Sequence, residues 1–131
     1  MHVAVERIAY GEIRGDLHPA AAKQTEPPVS SAVLREGVMR AVAMQKKRYE
    51  GQRIASNARL TPRQTEEYCP LDRACAKLME SAFRRYHLSA RSYHRILRTA
   101  RTVADLAGKD AICEEHLLEA LSYRMPERFF E

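Results

Sequence analysis

The stretch SARSYHRILRTARTVADLA, residues 89–107, decides the fold of this chain because it carries an apolar face and an arginine face at helical spacing. At about 100° per residue, Arg95 and Arg98 fall within roughly 40° of Arg91 on a helical wheel. The apolar side chains group on the opposite side: Tyr93, Ile96, Leu97, Ala100, Val103, Ala104 and Ala107. The pattern predicts a helix that packs one face into a core and presents guanidinium groups, which suit phosphate, on the other.

Helix start and stop signals flank this stretch on both sides. Ser89 can cap its first turn and Gly108 can end it, since a serine hydroxyl accepts an unpaired backbone N–H and glycine readily ends helices. Three helices are predicted upstream and one downstream: Ser30 or Ser31 to about Glu50, Thr61-Pro62 to before Pro70, Leu71 through Tyr86, and about Glu114 to Arg124. The chain is therefore predicted to be all-α, a bundle of four or five helices over residues 30–126.

The apolar spacing also predicts which side chains point inward. The inward positions are Leu34, Val38, Ala41 and Gln45 on the first helix, and Leu117, Leu118 and Leu121 on the last. Arg101 and Asp105 stand one turn apart and are expected to form a structural ion pair worth about tenths of a kcal/mol. His116 is expected to be a packed or hydrogen-bonded histidine, not a metal ligand.

The two ends of the chain have a different character. Residues 2–10 alternate like a strand, and residues 11–29 read as a linker because they contain Gly11, Gly15, Pro19, Pro27 and Pro28. A lone short strand has no ladder partner and is not stable by itself. Residues 1–29 are therefore expected to be the poorly ordered remnant of an upstream domain, or an ordinary disordered terminus. Residues 127–131 are expected to form a tail.

Composition and missing motifs limit the function. The net charge of +5 permits an anionic partner without naming one. Cys69, Cys75 and Cys113 form an odd set without C-x-x-C spacing, so they read as reduced thiols of a cytoplasmic protein. The sequence contains no apolar run of about 18 residues, so no membrane contact is expected. The glycines are too scattered for a phosphate loop, and no framed nucleophile or paired metal-ligand histidines occur. We therefore predict no catalytic residue and no metal site within this chain.

Residues 88–108 (LSARSYHRILRTARTVADLAG) closely resemble the C-terminal signature of the magnesium-chelatase-like AAA+ proteins, the YifB/ComM family. The resemblance continues at Gln45-x-x-Arg48-Tyr49, Asn57-Ala58-x-Leu60, Tyr68-Cys69-x-Leu71-Asp72, Ile112, His116, Glu119-Ala120 and Tyr123-Arg124. Residues 2–6 resemble, more weakly, the last strand of the family's ATPase core. This sequence departs from the family at Gly37 and Val42, where arginines are usual, and at Cys113, where a polar helix cap is usual.

The resemblance implies that the chain is the helical lid of a ring-forming ATPase, whose upstream core holds ATP and magnesium. The chain alone would bind neither and would catalyse nothing, whereas its parent would hydrolyse ATP. In such ATPases an arginine that opens a lid helix contacts the γ-phosphate, a role called sensor 2, and Arg91 is the matching position. The implied partners are the chain's own upstream core and the neighbouring ring subunits, and some members of the family are helicases that promote branch migration of DNA.

Arg95 and Arg98 share the face of Arg91 and are candidates for contacting phosphate, a neighbouring subunit or DNA. A solvated basic face explains them equally well. Two other functions therefore stay open at this stage. One is a basic helical DNA-binding module, and the other is a protein-interaction module in which the same arginines meet carboxylates.

Overall fold

The computed structural model describes residues 30–124, and within this range the chain forms helices and no strands. Five α-helices follow one another: α1 (Ser31–Arg48), α2 (Pro62–Tyr68), α3 (Arg73–Arg85), α4 (Ala90–Leu106) and α5 (Glu114–Ser122). A short 3-10 helix at Asn57–Arg59 lies between α1 and α2. The predicted all-α bundle is confirmed, while the predictions for residues 1–29 and 127–131 fall outside the described residues.

Polar side chains cap the starts of the first four α-helices. Ser30 accepts the backbone N–H of Val33 at the start of α1, and Thr61 forms a capping box with Gln64 at the start of α2. Asp72 accepts the backbone N–H of Cys75 at 2.7 Å. Asp72 is thus the N-cap of α3, which begins at Arg73 and not at Leu71 as predicted, and this bond lowers the pKa of the Asp72 carboxyl group.

The end of α4 has the glycine stop that the sequence predicts. Gly108 has a φ of 68°, its N–H donates to the carbonyl of Asp105, and the N–H of Lys109 donates to the carbonyl of Ala104 at 2.8 Å. These two bonds are those of a Schellman motif, which satisfies the last carbonyls of a helix. The following segment is thereby turned back toward the bundle, where α5 packs against α4.

The central element of the bundle is α4, which packs against α1, the 3-10 helix, α2 and α5, while α3 packs against α5. The core consists mainly of side chains from these contacts: Tyr49, Leu60, Cys69, Cys75, Met79, Ala82, Ile96, Leu97, Ala100, Ala104, Ile112, Leu117, Ala120 and Leu121. The predicted apolar face of the arginine stretch is thus confirmed over most of its length. Ala107 is the exception, because it is the exposed C-cap of α4.

Two of the predicted inward faces are only partly buried. Ala41 is buried, but Leu34 and Val38, on the same face of α1, are 59% and 52% exposed. No described residue covers the first half of α1, so the apolar side chains there extend past the helices that pack against its second half. On α5, Leu118 is 50% exposed because it lies about 100° around the helix from the buried Leu117. None of the described helices is long and apolar enough to cross a membrane.

Candidate functional site

A buried carboxylate holds α4 to the rest of the bundle. Asp105 is 1% exposed and accepts two hydrogen bonds from the Arg48 guanidinium, at 3.0 and 2.5 Å. It also accepts from Nε of Arg101 at 3.2 Å and from Nδ2 of Asn57 at 2.8 Å. The hydrogen bonds to Asp105 raise the pKa of Arg48, so its guanidinium is firmly charged. One carboxylate therefore joins α1, the 3-10 helix and α4.

Asn57 extends this network in three further directions. Its backbone N–H donates to Oε1 of Gln45 at 3.0 Å, and its Oδ1 accepts the hydroxyl of Tyr49 at 2.6 Å. Its Nδ2 also donates to the hydroxyl of Thr102 at 3.1 Å. Burial raises the pKa of Tyr49, which keeps its phenol protonated as a donor. Several residues that carry the family resemblance are thus members of one structural network.

The predicted ion pair between Arg101 and Asp105 is confirmed, but it is buried, whereas its predicted energy assumed an exposed pair. Arg101 is 2% exposed, and its guanidinium also donates to the carbonyls of Asp110 and Lys109, both at 2.6 Å. A stabilisation of tenths of a kcal/mol applies to exposed helix pairs. Removing one partner of a buried pair instead costs about 3–5 kcal/mol, because the other charge is left uncompensated.

Arg98, one of the predicted contact residues, anchors the segment between the 3-10 helix and α2. Its Nη1 donates to the carbonyls of Ala58 and Leu60, both at 3.1 Å, and its Nε donates to the carbonyl of His94. This guanidinium therefore positions the chain against α4. A contact of Arg98 with phosphate, DNA or another subunit stays a prediction.

Arg91 and Arg95 are exposed on α4, and neither forms a salt bridge with any residue between 30 and 124. Arg91 lies in the first turn, just after the N-cap Ser89, whose hydroxyl accepts the backbone N–H of Ser92. A cation at this end of a helix is unfavourable by about 0.3–1 kcal/mol. Both guanidiniums can therefore reach an external anion.

Arg124 was missed as a site residue in the sequence interpretation. It follows α5, yet its Nη2 donates to the hydroxyl of Ser92 at 2.9 Å, so it lies at the first turn of α4. Arg95 and Arg124 also line one small cleft of about 50 Å³. The sequence signal was the Tyr123-Arg124 pair within the family resemblance, but only the packing of α5 shows where this arginine lies.

An apolar groove of about 800 Å³ lies between α2, α3 and the start of α4. Its walls include Tyr93, which packs edge-on against Phe83 with ring centroids 6.3 Å apart. At its rim, Nε2 of His94 lies 3.2 Å from Oε1 of Glu66, and Arg84 forms an ion pair with Glu80. Burial raises the pKa of Tyr93, which belongs to the predicted apolar face of α4 and packs, partly buried, against the core.

Two cysteines are buried in the core, and His116 is packed and hydrogen-bonded, as predicted. Cys69 and Cys75 are buried, and burial raises the pKa of each thiol to about 11. His116 is buried and its Nδ1 accepts the backbone N–H of Cys113 at 3.0 Å. This bond satisfies the backbone N–H of Cys113 at the start of α5, although Cys113 replaces the usual polar cap.

The fold and the site thus define a helical domain. Its central helix, α4, is held in place by the hydrogen bonds to Asp105 and carries a basic face. Residues 28–124 match the family model described as "Magnesium chelatase, subunit ChlI C-terminal". The chain is similar to Competence protein ComM of Haemophilus influenzae, with 39% identity over 102 residues, which is 78% of this chain and 19% of that protein.

Two further relatives carry the name YifB and are described as uncharacterized. The Salmonella typhimurium protein is 37% identical over 76% of this chain and 19% of its own length, and the Escherichia coli protein is 36% identical over 81% and 20%. The chain belongs to the C-terminal domains of the magnesium-chelatase-like ComM/YifB family. It spans about a fifth of the length of the curated relatives that it matches.

Proposed function

We propose that this domain is the lid of a larger ATP-hydrolysing protein and that Arg91 contacts the γ-phosphate of ATP. The observation that carries the proposal is the exposed guanidinium of Arg91 in the first turn of the central helix, which forms no salt bridge with any residue between 30 and 124. ATP and magnesium would be held by the remaining four-fifths of the parent, in the cytoplasm, and the domain alone would bind neither. An arginine suits this role because its planar fork can donate two hydrogen bonds to phosphate oxygens.

The network around Asp105 supports a mechanical role for the domain. Because Arg48 and Asn57 hold α1 and the 3-10 helix to α4, a displacement of α4 at Arg91 would carry these two segments with it. Rigid-body movement of a domain is one of the ways in which a local phosphate contact becomes a conformational change. Through its own core and the neighbouring ring subunits, the domain would couple hydrolysis to ring motion.

Nucleotide affinity of the full-length parent tests the contact. Arg91→Gln removes a charge-assisted hydrogen bond to the terminal phosphate, so the dissociation constant of a non-hydrolysable ATP analogue should rise about tenfold or more. The dissociation constant of ADP should change little, because ADP lacks that phosphate. An equal loss for both nucleotides, or none for either, would refute the proposed contact.

The control for this experiment is Arg73→Gln. Arg73 is also exposed and in the first turn of a side-chain-capped helix. The start of α3 lies beside the segment that follows α4, since the Cys75 thiol contacts the carbonyl of Ile112 at 3.7 Å. Arg73 is therefore near the opposite end of α4 from Arg91, and its replacement should leave both affinities unchanged.

A DNA-binding surface is the second candidate, and one observation favours it. Arg95 and Arg98 line a surface depression of about 370 Å³ together with Ala58 and the hydroxyl-bearing Thr99 and Thr102. This surface would suit a parent that promotes branch migration of DNA. If Z phosphates are contacted, log affinity should fall with log salt at a slope of about −0.9Z, and Arg95→Gln should make the slope shallower. An absence of duplex binding by the chain at low salt would exclude this surface.

A further inference from the structure

Arg124 contacts Ser92, a residue 32 positions away in the sequence. Ser92 lies in the first turn of α4, next to Arg91, and its hydroxyl oxygen also accepts a hydrogen bond from Ser89 at 3.1 Å. Arg124 is half-buried at this contact. A guanidinium from the end of α5 is thus held at the first turn of α4, the turn that also carries Arg91.

The charge of Arg124 is not compensated by a carboxylate within residues 30–124, because no salt bridge to it is formed there. The acid that precedes it on α5, Glu119, accepts the hydroxyl of Tyr123 at 2.5 Å instead. This bond raises the pKa of the Tyr123 phenol. A half-buried cation whose described partner is a neutral hydroxyl retains most of its capacity to bind an anion.

The cleft between α4 and α5 brings a second guanidinium to the same place. Arg95 and Arg124 both line it, and Ile96, Thr99, Ala120 and Tyr123 complete its walls. Its volume of about 50 Å³ corresponds to a few water molecules, too small for a nucleobase but suitable for the oxygens of a phosphoryl group. Two like charges beside one cleft repel each other, and a bound anion removes that cost.

We infer that Arg124, with Arg95, is a further phosphate-contacting residue, so that the polyphosphate chain of a nucleotide meets guanidiniums from both α4 and α5. The inference rests on the proposed function, since it adds residues to the site assigned to Arg91. Its consequence is that nucleotide binding would hold the end of α5 to the start of α4. The described bond through Ser92 positions Arg124 for this contact.

The test uses the full-length parent and measures the dissociation constant of a non-hydrolysable ATP analogue. Arg124→Gln should weaken binding about tenfold, and Arg124→Lys should weaken it less because the charge remains while the planar fork is lost. Ser92→Ala, which keeps the guanidinium but removes its anchor, should weaken binding severalfold. Arg73→Gln should have no effect. Thermal unfolding of each variant shows whether the fold is retained, and Arg124→Lys and Ser92→Ala keep the test decisive if Arg124→Gln is unstable.

The outcomes separate this inference from the proposed function. Weakening by Arg91→Gln without weakening by folded Arg124 variants would overturn the inference and leave the proposed function standing. No weakening by either would overturn both. If Arg124→Gln lowered affinity for a DNA duplex but not for the nucleotide, the inference would also be overturned, because Arg124 would then contact the DNA backbone. A double variant that loses less than the sum of the two single losses supports a shared anion.

Discussion

The Arg48 guanidinium on α1 meets the Asp105 carboxylate on α4 through two hydrogen bonds across 57 residues of sequence. Because Asp105 is buried and also accepts from Arg101 and Asn57, this contact is the point at which three segments of the bundle are joined. The helix that carries Arg91 is held in place by this network at its far end. The helix that this network holds in place is thus the same helix that carries the candidate anion site.

Replacing Asp105 should therefore destabilise the domain severely. Asp105→Asn removes the charge that balances two guanidiniums, so the free energy of unfolding should fall by about 3–5 kcal/mol. Urea denaturation of the chain measures this fall. The control is Glu80→Gln, which breaks the exposed Arg84–Glu80 pair and should cost less than about 1 kcal/mol. Equal losses in the two variants would contradict the assigned role of the network.

Replacing Arg98 should lower the free energy of unfolding more than replacing Arg95, although both residues lie on the arginine face. Arg98→Met leaves the carbonyls of Ala58 and Leu60 without their donor, so it should lower the free energy of unfolding by about 1–3 kcal/mol. Arg95→Met should change it by no more than about 0.5 kcal/mol, because Arg95 is exposed. A stable Arg98→Met variant would show that the anchoring contacts contribute little.

The exposed apolar stripe on α1 should contribute little to the stability of the chain itself. Leu34→Ser should change the free energy of unfolding by about 0.5 kcal/mol or less, since Leu34 is mostly exposed. Leu97→Ala, in the middle of the core, should cost about 2–5 kcal/mol because it leaves a cavity. A large loss in Leu34→Ser would mean that this half of α1 is covered in solution.

Thiol reactivity should distinguish the three cysteines. At about pH 8, Cys113 should react quickly with a disulfide reagent because it is exposed, whereas Cys69 and Cys75 are buried and their pKa values of about 11 keep them protonated. The time course of the reaction should show one fast-reacting cysteine in the native chain and three after unfolding. The fast phase should disappear in Cys113→Ser, and a second fast thiol in the native chain would contradict the described burial.

The sequence predicted the features of this fold that depend on local signals. The caps at Ser30, Thr61 and Ser89 and the stop at Gly108 each act within a few residues, so they could be identified without knowledge of the tertiary structure. The exposure of Leu34 could not be identified in this way. Helical periodicity shows which side of α1 faces inward but not how far along the helix the rest of the bundle extends.

The candidate site was predicted in part for a similar reason. The helical wheel placed Arg91, Arg95 and Arg98 on one face, but it could not show that Arg98 reaches the carbonyls of another segment. It also could not place Arg124, because only the packing of α5 against α4 brings that side chain to Ser92. Contacts between segments distant in sequence are set by packing, which periodicity does not contain.

Steady-state ATP hydrolysis by the full-length parent tests the central claim most directly. The account predicts that Arg91→Gln lowers the turnover rate by about tenfold or more, since a phosphate-contacting guanidinium stabilises the charge of the reacting phosphates. The Arg73→Gln control should keep the rate of the unmodified protein, and all three proteins should unfold at similar temperatures. Normal turnover by Arg91→Gln would contradict the account, because the guanidinium at the start of α4 would then have no part in the reaction.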